Sequence, residues 1–161
     1  MKKIPLTQGK VALVDDADFD RVNQFKWYAL KNTTGNVWYA MRTSWDPASK
    51  KRSAIYLHTF LTGFDRTDHQ DGDGLNCQRE NLRPATSAQN MQAKQTKRKN
   101  TSSRFRGVSW HKAYRQWQAQ IKIAGKLIYL GRYVKEQSAA KAYDVAAKKY
   151  FGKFASPNFT N

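Results

Sequence analysis

Gln116-Trp117-Gln118-Ala119-Gln120-Ile121-Lys122-Ile123-Ala124-Gly125-Lys126 is the stretch from which the fold is read. Trp117, Ala119, Ile121 and Ile123 alternate with Gln116, Gln118, Gln120 and Lys122. Successive side chains on a strand point to opposite faces, so this pattern predicts one apolar face and one lined with amides and a cation. Ala124-Gly125 reads as a tight hairpin turn. Strands are therefore expected on either side of it, over Trp117–Ile123 and Lys126–Tyr133, with a third before them over Phe105–His111. Downstream, Ala139, Tyr143, Ala146, Ala147 and Tyr150 recur at helical spacing. They predict a helix over Glu136–Phe151, stopped by Gly152 at the position a C-cap favours. Small alanines let that helix lie close on the apolar sheet face, which leaves the polar, basic face open.

Charge supports a polyanionic partner for this half. The 161 residues carry 29 Lys and Arg against 12 Asp and Glu, a formal net charge of +17. Residues 1–90 contribute 13 basic and 10 acidic side chains, whereas residues 91–161 contribute 16 and 2. Such an imbalance costs self-repulsion that a polyanion relieves. A single cysteine, Cys77, excludes an intrachain disulfide framework and a cysteine-rich zinc site. No stretch approaches the roughly 20 apolar residues that span a bilayer. An intracellular protein with no membrane association is expected.

The front of the chain reads as short strands and turns. Lys10–Val14 is an apolar run bounded by Gly9 and Asp15-Asp16, and predicts a strand. Phe19, Val22 and Phe25 at helical spacing predict a helix from Asp16 to Phe25. Trp27–Leu30 and Val37–Met41 predict two strands of a small antiparallel sheet, and Ile55–His58 a third strand or the start of a short helix ending at Gly63. Trp27, Trp38 and Tyr39 suit core packing better than base stacking. Arg42, Lys50, Lys51 and Arg52 suit phosphate contacts better than base reading.

Thr67 to Gln92, TDHQDGDGLNCQRENLRPATSAQNMQ, is the stretch with reactive character. Asp68 and His69 are adjacent, Asn81 follows twelve residues after the histidine, and Asn90 nine residues later. A hairpin-like loop followed by a helix from Ser87 would gather them. An imidazole can deprotonate water, and a carboxylate with an amide oxygen can hold a hard divalent cation. The run Asp68-His69, Gly72-Asp73, Arg79, Asn81-Leu82-Arg83, Thr86 and Gln89-Asn90 resembles the active site of HNH homing endonucleases of phage and mobile-element type. That resemblance implies a ββα-metal fold. It makes His69 the general base, Asp68 and Asn90 ligands of one Mg²⁺ (or Mn²⁺), and Asn81 the member of the catalytic set that holds the loop and the imidazole. A strand-nicking enzyme is the function so implied. A DNA-binding regulator on an inactive HNH scaffold is the alternative.

Residues 103–159 resemble the plant ethylene-response-factor (APETALA-type) DNA-binding domain. The resemblance is carried by Phe105-Arg106-Gly107-Val108, Trp117-Gln118-Ala119-Gln120-Ile121, Tyr129-Leu130-Gly131, Ala139-Ala140, Ala142-Tyr143-Asp144, Ala146-Ala147, Gly152 and Asn158-Phe159. It implies a three-stranded sheet laid into the major groove of double-stranded DNA. Arg106 becomes a groove contact, Lys122 stands for a family arginine, Tyr129 for a DNA-touching tryptophan, and Gln118 and Gln120 become candidate base readers. Arg104, Trp110, Lys112, Arg115 and Arg132 are expected phosphate or groove contacts, with edge-strand packing the alternative for Trp110. The polar run 91–104 reads as a helix tail and flexible linker, in which Lys97-Arg98-Lys99 would lie along the backbone or thread a minor groove.

The expected architecture is α+β. A small β-rich region leads into a ββα-metal fold over residues 1–92, a basic linker covers 93–103, and a three-stranded antiparallel sheet on one helix covers 104–161. A monomer with no obligate protein partner is expected.

Overall fold

The structure, a computed structural model, describes residues 1–33, 37–93 and 101–159. It is mixed α+β with antiparallel sheets, and its residues divide into two units, Met1–Ser87 and Ala88–Asn161.

In the first unit, β1 (Lys2–Pro5) pairs with β2 (Val11–Val14) through a turn in which Gln8 and Gly9 both have positive φ. The register sets Ile4 opposite Ala12, so both bury on one face. Next comes α1 (Asp16–Asn23), with Asp16 and Asp18 in its first turn, where carboxylates favour the positive end of the helix dipole. It stops before Phe25. Trp27 instead turns back, and its indole Nε1 donates to the Val22 carbonyl at 3.0 Å, satisfying a helix-end acceptor inside the core.

A three-stranded meander follows: β3 (Tyr28–Lys31), β4 (Trp38–Asp46) and β5 (Lys51–Tyr56). The first half of β5 is polar and exposed, which hides it from a hydrophobicity reading. It is held by the turn instead, where the Asp46 carboxylate accepts from the Ala48 N–H at 3.0 Å and the Ser49 hydroxyl at 2.6 Å. The chain then forms α2 (Leu57–Thr62), ended by Gly63 in the left-handed region at φ 71°. Finally β6 (Thr67–His69) pairs with β7 (Leu82–Pro84).

Ile4, Ala12, Val14, Val22, Trp27, Ala40, Leu57, Leu61, Cys77 and Leu82 form one core. The loop between β6 and β7 is stitched to β2: the Leu13 N–H donates to the Leu75 carbonyl at 2.9 Å, and the Cys77 N–H to the Leu13 carbonyl at 2.8 Å. Arg79 adds a bidentate pair to the buried Asp18 at 2.6 and 2.7 Å. That guanidinium holds the Asp18 carboxyl below the usual carboxylate range.

The unit boundary falls at the first residue of α3 (Ser87–Ala93). The second unit's sheet is β8 (Val108–His111), β9 (Gln116–Ile123) and β10 (Lys126–Tyr133), antiparallel throughout with β9 central. Ala124 and Gly125 both take positive φ, as a two-residue turn of the primed kind needs. Then α4 (Glu136–Phe151) lies on the sheet. Its Ala139, Ala140, Tyr143, Ala146 and Ala147 are buried with Val108, Ala119 and Ile121 of the strands.

β8 begins at Val108 rather than Phe105 because Gly107 sits at φ 74°. A β-carbon there would fall 2.0 Å from the Tyr143 ring. The C-terminal tail is tied back by Asp144. Its buried carboxylate accepts from the Asn158 N–H at 2.7 Å, the Asn158 amide at 2.9 Å and the Phe159 N–H at 3.0 Å.

Candidate nucleic-acid interface

The face of the β8–β9–β10 sheet away from the core is ordered by the strand register. Ser109, Gln118 and Arg132 form one row across the three strands, Gln120 faces Tyr129, and Lys122 faces Leu127. Gln118 Nε2 lies 3.3 Å from Gln120 Oε1, so the two amides sit side by side. The register shifts between Tyr129 and Gly131, a β-bulge. Strict alternation would put Tyr129 and Arg132 on opposite faces, and the extra residue, Leu130, restores them to one. Leu130 itself turns into the core. Arg132 then donates through Nε to the Tyr129 hydroxyl at 3.1 Å, and its guanidinium stacks on Tyr114 at 3.6 Å. One cation and two rings are thus held together on an exposed surface.

At the β8–β9 turn, Lys112 and Arg115 are exposed, and the Arg115 N–H closes the turn on the Lys112 carbonyl at 3.3 Å. Trp110 is directly opposite Trp117, and the rings meet edge to face at 5.0 Å. Trp117 packs with the sheet–helix core, so Trp110 shares the core side of the sheet edge rather than the amide face. Arg106 donates to the Gln92 carbonyl at 2.9 Å, while its backbone exchanges bonds with the Asn158 side chain. Arg104 covers the Phe105 ring at 4.9 Å. Lys97, Arg98 and Lys99 lie outside the described residues. The only two carboxylates of residues 91–161 are both engaged: Asp144 in the tail clamp, and Glu136 with the Ser103 hydroxyl at 2.7 Å.

Leu127, Tyr114 and Ser109 also belong to this face or its margin, and sequence reasoning missed them. For Leu127 the available signal was plain alternation, since it stands two residues before Tyr129 on the same strand. Gly131 inside a strand pattern marked only the bulge that brings Arg132 to this face.

A stretch of this chain is similar to AP2-like plant transcription factors. It is 47% identical over 60 residues to an AP2-like ethylene-responsive transcription factor of Arabidopsis thaliana, covering 36% of this chain and 11% of that protein. It is 41% identical over 69 residues to an APETALA2-like protein of Oryza sativa, covering 42% of this chain and 16% of that protein. A second Arabidopsis AP2-like factor matches at 47% over 60 residues. The chain thus spans between 9% and 16% of the length of the curated relatives it matches. No family model matches the chain.

The nuclease expectation is corrected by these findings together with the geometry of the Thr67–Gln92 segment. The two Arabidopsis relatives are named as transcription factors, not nucleases, and all three relatives are plant proteins, so a phage or mobile-element source has no support. The expected metal ligand Asp68 sits directly opposite Arg83, and its Oδ2 accepts from Arg83 Nε at 2.8 Å and Nη2 at 2.5 Å in a nearly buried pair. Its charge is met by a guanidinium.

Neighbouring carboxylates are engaged as turn acceptors. Asp71 takes the Asp73 N–H at 2.8 Å and the Asn76 amide at 2.7 Å, and Asp73 takes the Leu75 N–H at 3.0 Å. Asn81 joins this loop, donating to Asp71 at 3.0 Å and to the Asn76 carbonyl at 2.7 Å, and accepting from the Asp71 N–H at 3.0 Å. His69, expected as general base, is 8% exposed, with its ring 5.0 Å from that of His58 and 5.9 Å from that of Tyr39. Burial pushes its imidazole below the ordinary value. Asn90 lies on α3 in the second unit. Among the described residues, no three or more His, Cys, Asp or Glu side chains group so as to hold a metal ion. The Mg²⁺ or Mn²⁺ cofactor and the hydrolase activity are therefore not retained, and of the expected fold only the mixed α+β architecture with its antiparallel sheets is shown. No helix among the described residues is long and apolar enough to cross a membrane.

Proposed function

We propose that this protein is a non-catalytic DNA-binding regulator that lays the open face of the β8–β9–β10 sheet into the major groove of double-stranded DNA. The observation that carries the reading is the single face on which Gln118, Gln120, Lys122, Tyr129 and Arg132 stand together while α4 covers the other. The major groove admits a sheet of this kind and displays a distinct donor and acceptor pattern for each base pair. Gln118 and Gln120 suit adenine, whose N6 and N7 match an amide. Lys122 and Arg132 suit the O6 and N7 acceptors of guanine. Lys112 and Arg115, at the end of the sheet, take phosphates and fix the register. Arg104 and the run Lys97-Arg98-Lys99 extend the same contact along the backbone, and Arg106 exchanges its bond to Gln92 for a phosphate.

Trp110 belongs to the support of the sheet edge in this scheme. In the first unit, Asp68, His69 and Asn81 are structural members of a loop locked by ion pairs and side-chain turns. One sheet meets one groove, so the protein binds as a monomer inside the cell, where its DNA is. Anisotropy titration of a labelled duplex across a salt series tests the reading. Affinity falls steeply with salt, and Lys112→Ala lowers the slope by about one. Affinity unchanged across the salt series, or unchanged in Arg132→Ala and Gln120→Ala, would overturn it.

A further inference from the structure

Leu127 is 63% exposed and belongs to neither hydrophobic cluster of the second unit. A lone exposed leucine needs no explanation. This one has a defined place: it faces Lys122 across the β9–β10 pair and shares the open face with Tyr129, itself 54% exposed, two residues along. It is an apolar tip set among amides and cations, on the face assigned to the major groove. There the C5-methyl of thymine is the apolar group that base edges present. We infer that Leu127 reads a thymine methyl, and that the target contains this thymine beside the base pair addressed by Lys122. This rests on the DNA-binding reading above.

The geometry narrows the context further. Directly paired residues of adjacent strands stand roughly 5 Å apart, so Leu127 and Lys122 address the same or neighbouring base pairs. Lys122 favours guanine, and Gln120, next on the same face, favours the adenine partner of a thymine. The preferred step therefore joins an A·T pair, read by its methyl and its adenine edge, to a G·C pair.

The test uses the full chain and a pool of randomised duplexes, from which the tightest-binding duplex is selected. Each thymine is then replaced singly by deoxyuridine, which removes only the methyl. Burying a methyl against Leu127 predicts a loss of about fourfold at one position. Leu127→Ala binds the thymine duplex more weakly by a similar factor and no longer distinguishes thymine from deoxyuridine there. Because the side chain is exposed, this variant keeps its fold, which circular dichroism verifies. With cytosine at that position, 5-methylation of the cytosine strengthens wild-type binding and leaves Leu127→Ala unchanged. An enriched duplex without thymine, tolerance of deoxyuridine everywhere, or an unchanged thymine preference in Leu127→Ala overturns the inference while leaving DNA binding in place. Failure of every duplex to bind overturns the DNA-binding reading itself.

Discussion

Arg132 Nε donates to the Tyr129 hydroxyl at 3.1 Å, although three residues along a regular strand would place the two side chains on opposite faces. The bulge between Tyr129 and Gly131 makes the contact, and Gly131, at φ 123°, permits the bulge. A cation and a phenol ring are thereby delivered to the face where Gln118 and Gln120 stand.

Gly131→Ala tests that relationship. The new methyl would lie 3.0 Å from the Tyr133 hydroxyl, which is held by its bond to the Leu130 carbonyl at 3.0 Å, in a backbone region that favours glycine. The variant loses about 1–3 kcal/mol of stability, read by urea unfolding. Its DNA affinity falls as well, because Arg132 is turned off the face. Retained affinity with the same stability loss would show that the bulge serves packing alone.

Gly107→Ala carries two costs at once: a positive φ of 74° and a β-carbon 2.0 Å from the Tyr143 ring. Overpacking of this kind costs about 1–3 kcal/mol, and the left-handed backbone adds about 1 kcal/mol. The second unit is therefore destabilised more by this change than by Ala113→Gly in the exposed β8–β9 turn. Denaturation monitored by tryptophan fluorescence separates the two.

Asp144→Ala frees the tail. It leaves the Asn158 and Phe159 N–H groups without their acceptor, at about 2–4 kcal/mol for the set. Asn158 also accepts from the Arg106 N–H at 2.6 Å, so amide exchange quickens at Arg106 as well as at the tail. Protection unchanged at Arg106 would contradict the coupling.

Acid weakens the first unit. Burial, and then the neighbouring His69, push the His58 imidazole down to about 4, and its Nδ1 is buried without a hydrogen-bond partner among the described residues. The unfolded chain takes up the proton near 6.5, so it is favoured as pH falls from 6.5 towards 4, and stability is constant above about pH 7. His58 alone accounts for roughly 3 kcal/mol across that window. Urea midpoints at pH 8, 7, 6 and 5 should fall below pH 7, and the fall should be shallower in His58→Gln.

Much of the second unit was legible because its residues obey simple periods. Alternation along Gln116–Ile123, the Ala124-Gly125 turn and the alanine spacing of α4 each state one element and its buried face. The bulge was not legible from alternation, because its cause is a glycine whose effect lies in the following residues. Trp110 could not be placed from composition, since an aromatic on an edge strand suits either face until the register sets it opposite Trp117.

The Thr67–Gln92 segment misled for a different reason. Asp, His and Asn are the residues of both metal chemistry and tight side-chain turns. Only the structure shows Asp68 opposite Arg83 and Asn81 bonded within its own loop.

The most direct test incubates the wild-type protein with supercoiled plasmid in Mg²⁺ and, separately, Mn²⁺, followed by protease treatment and electrophoresis. A regulator that binds through the β8–β9–β10 face retards the plasmid before protease treatment and returns it fully supercoiled afterwards. Nicked or linear DNA that accumulates with time, and is lost in His69→Ala while retardation persists, would contradict the account and restore catalysis to the first unit.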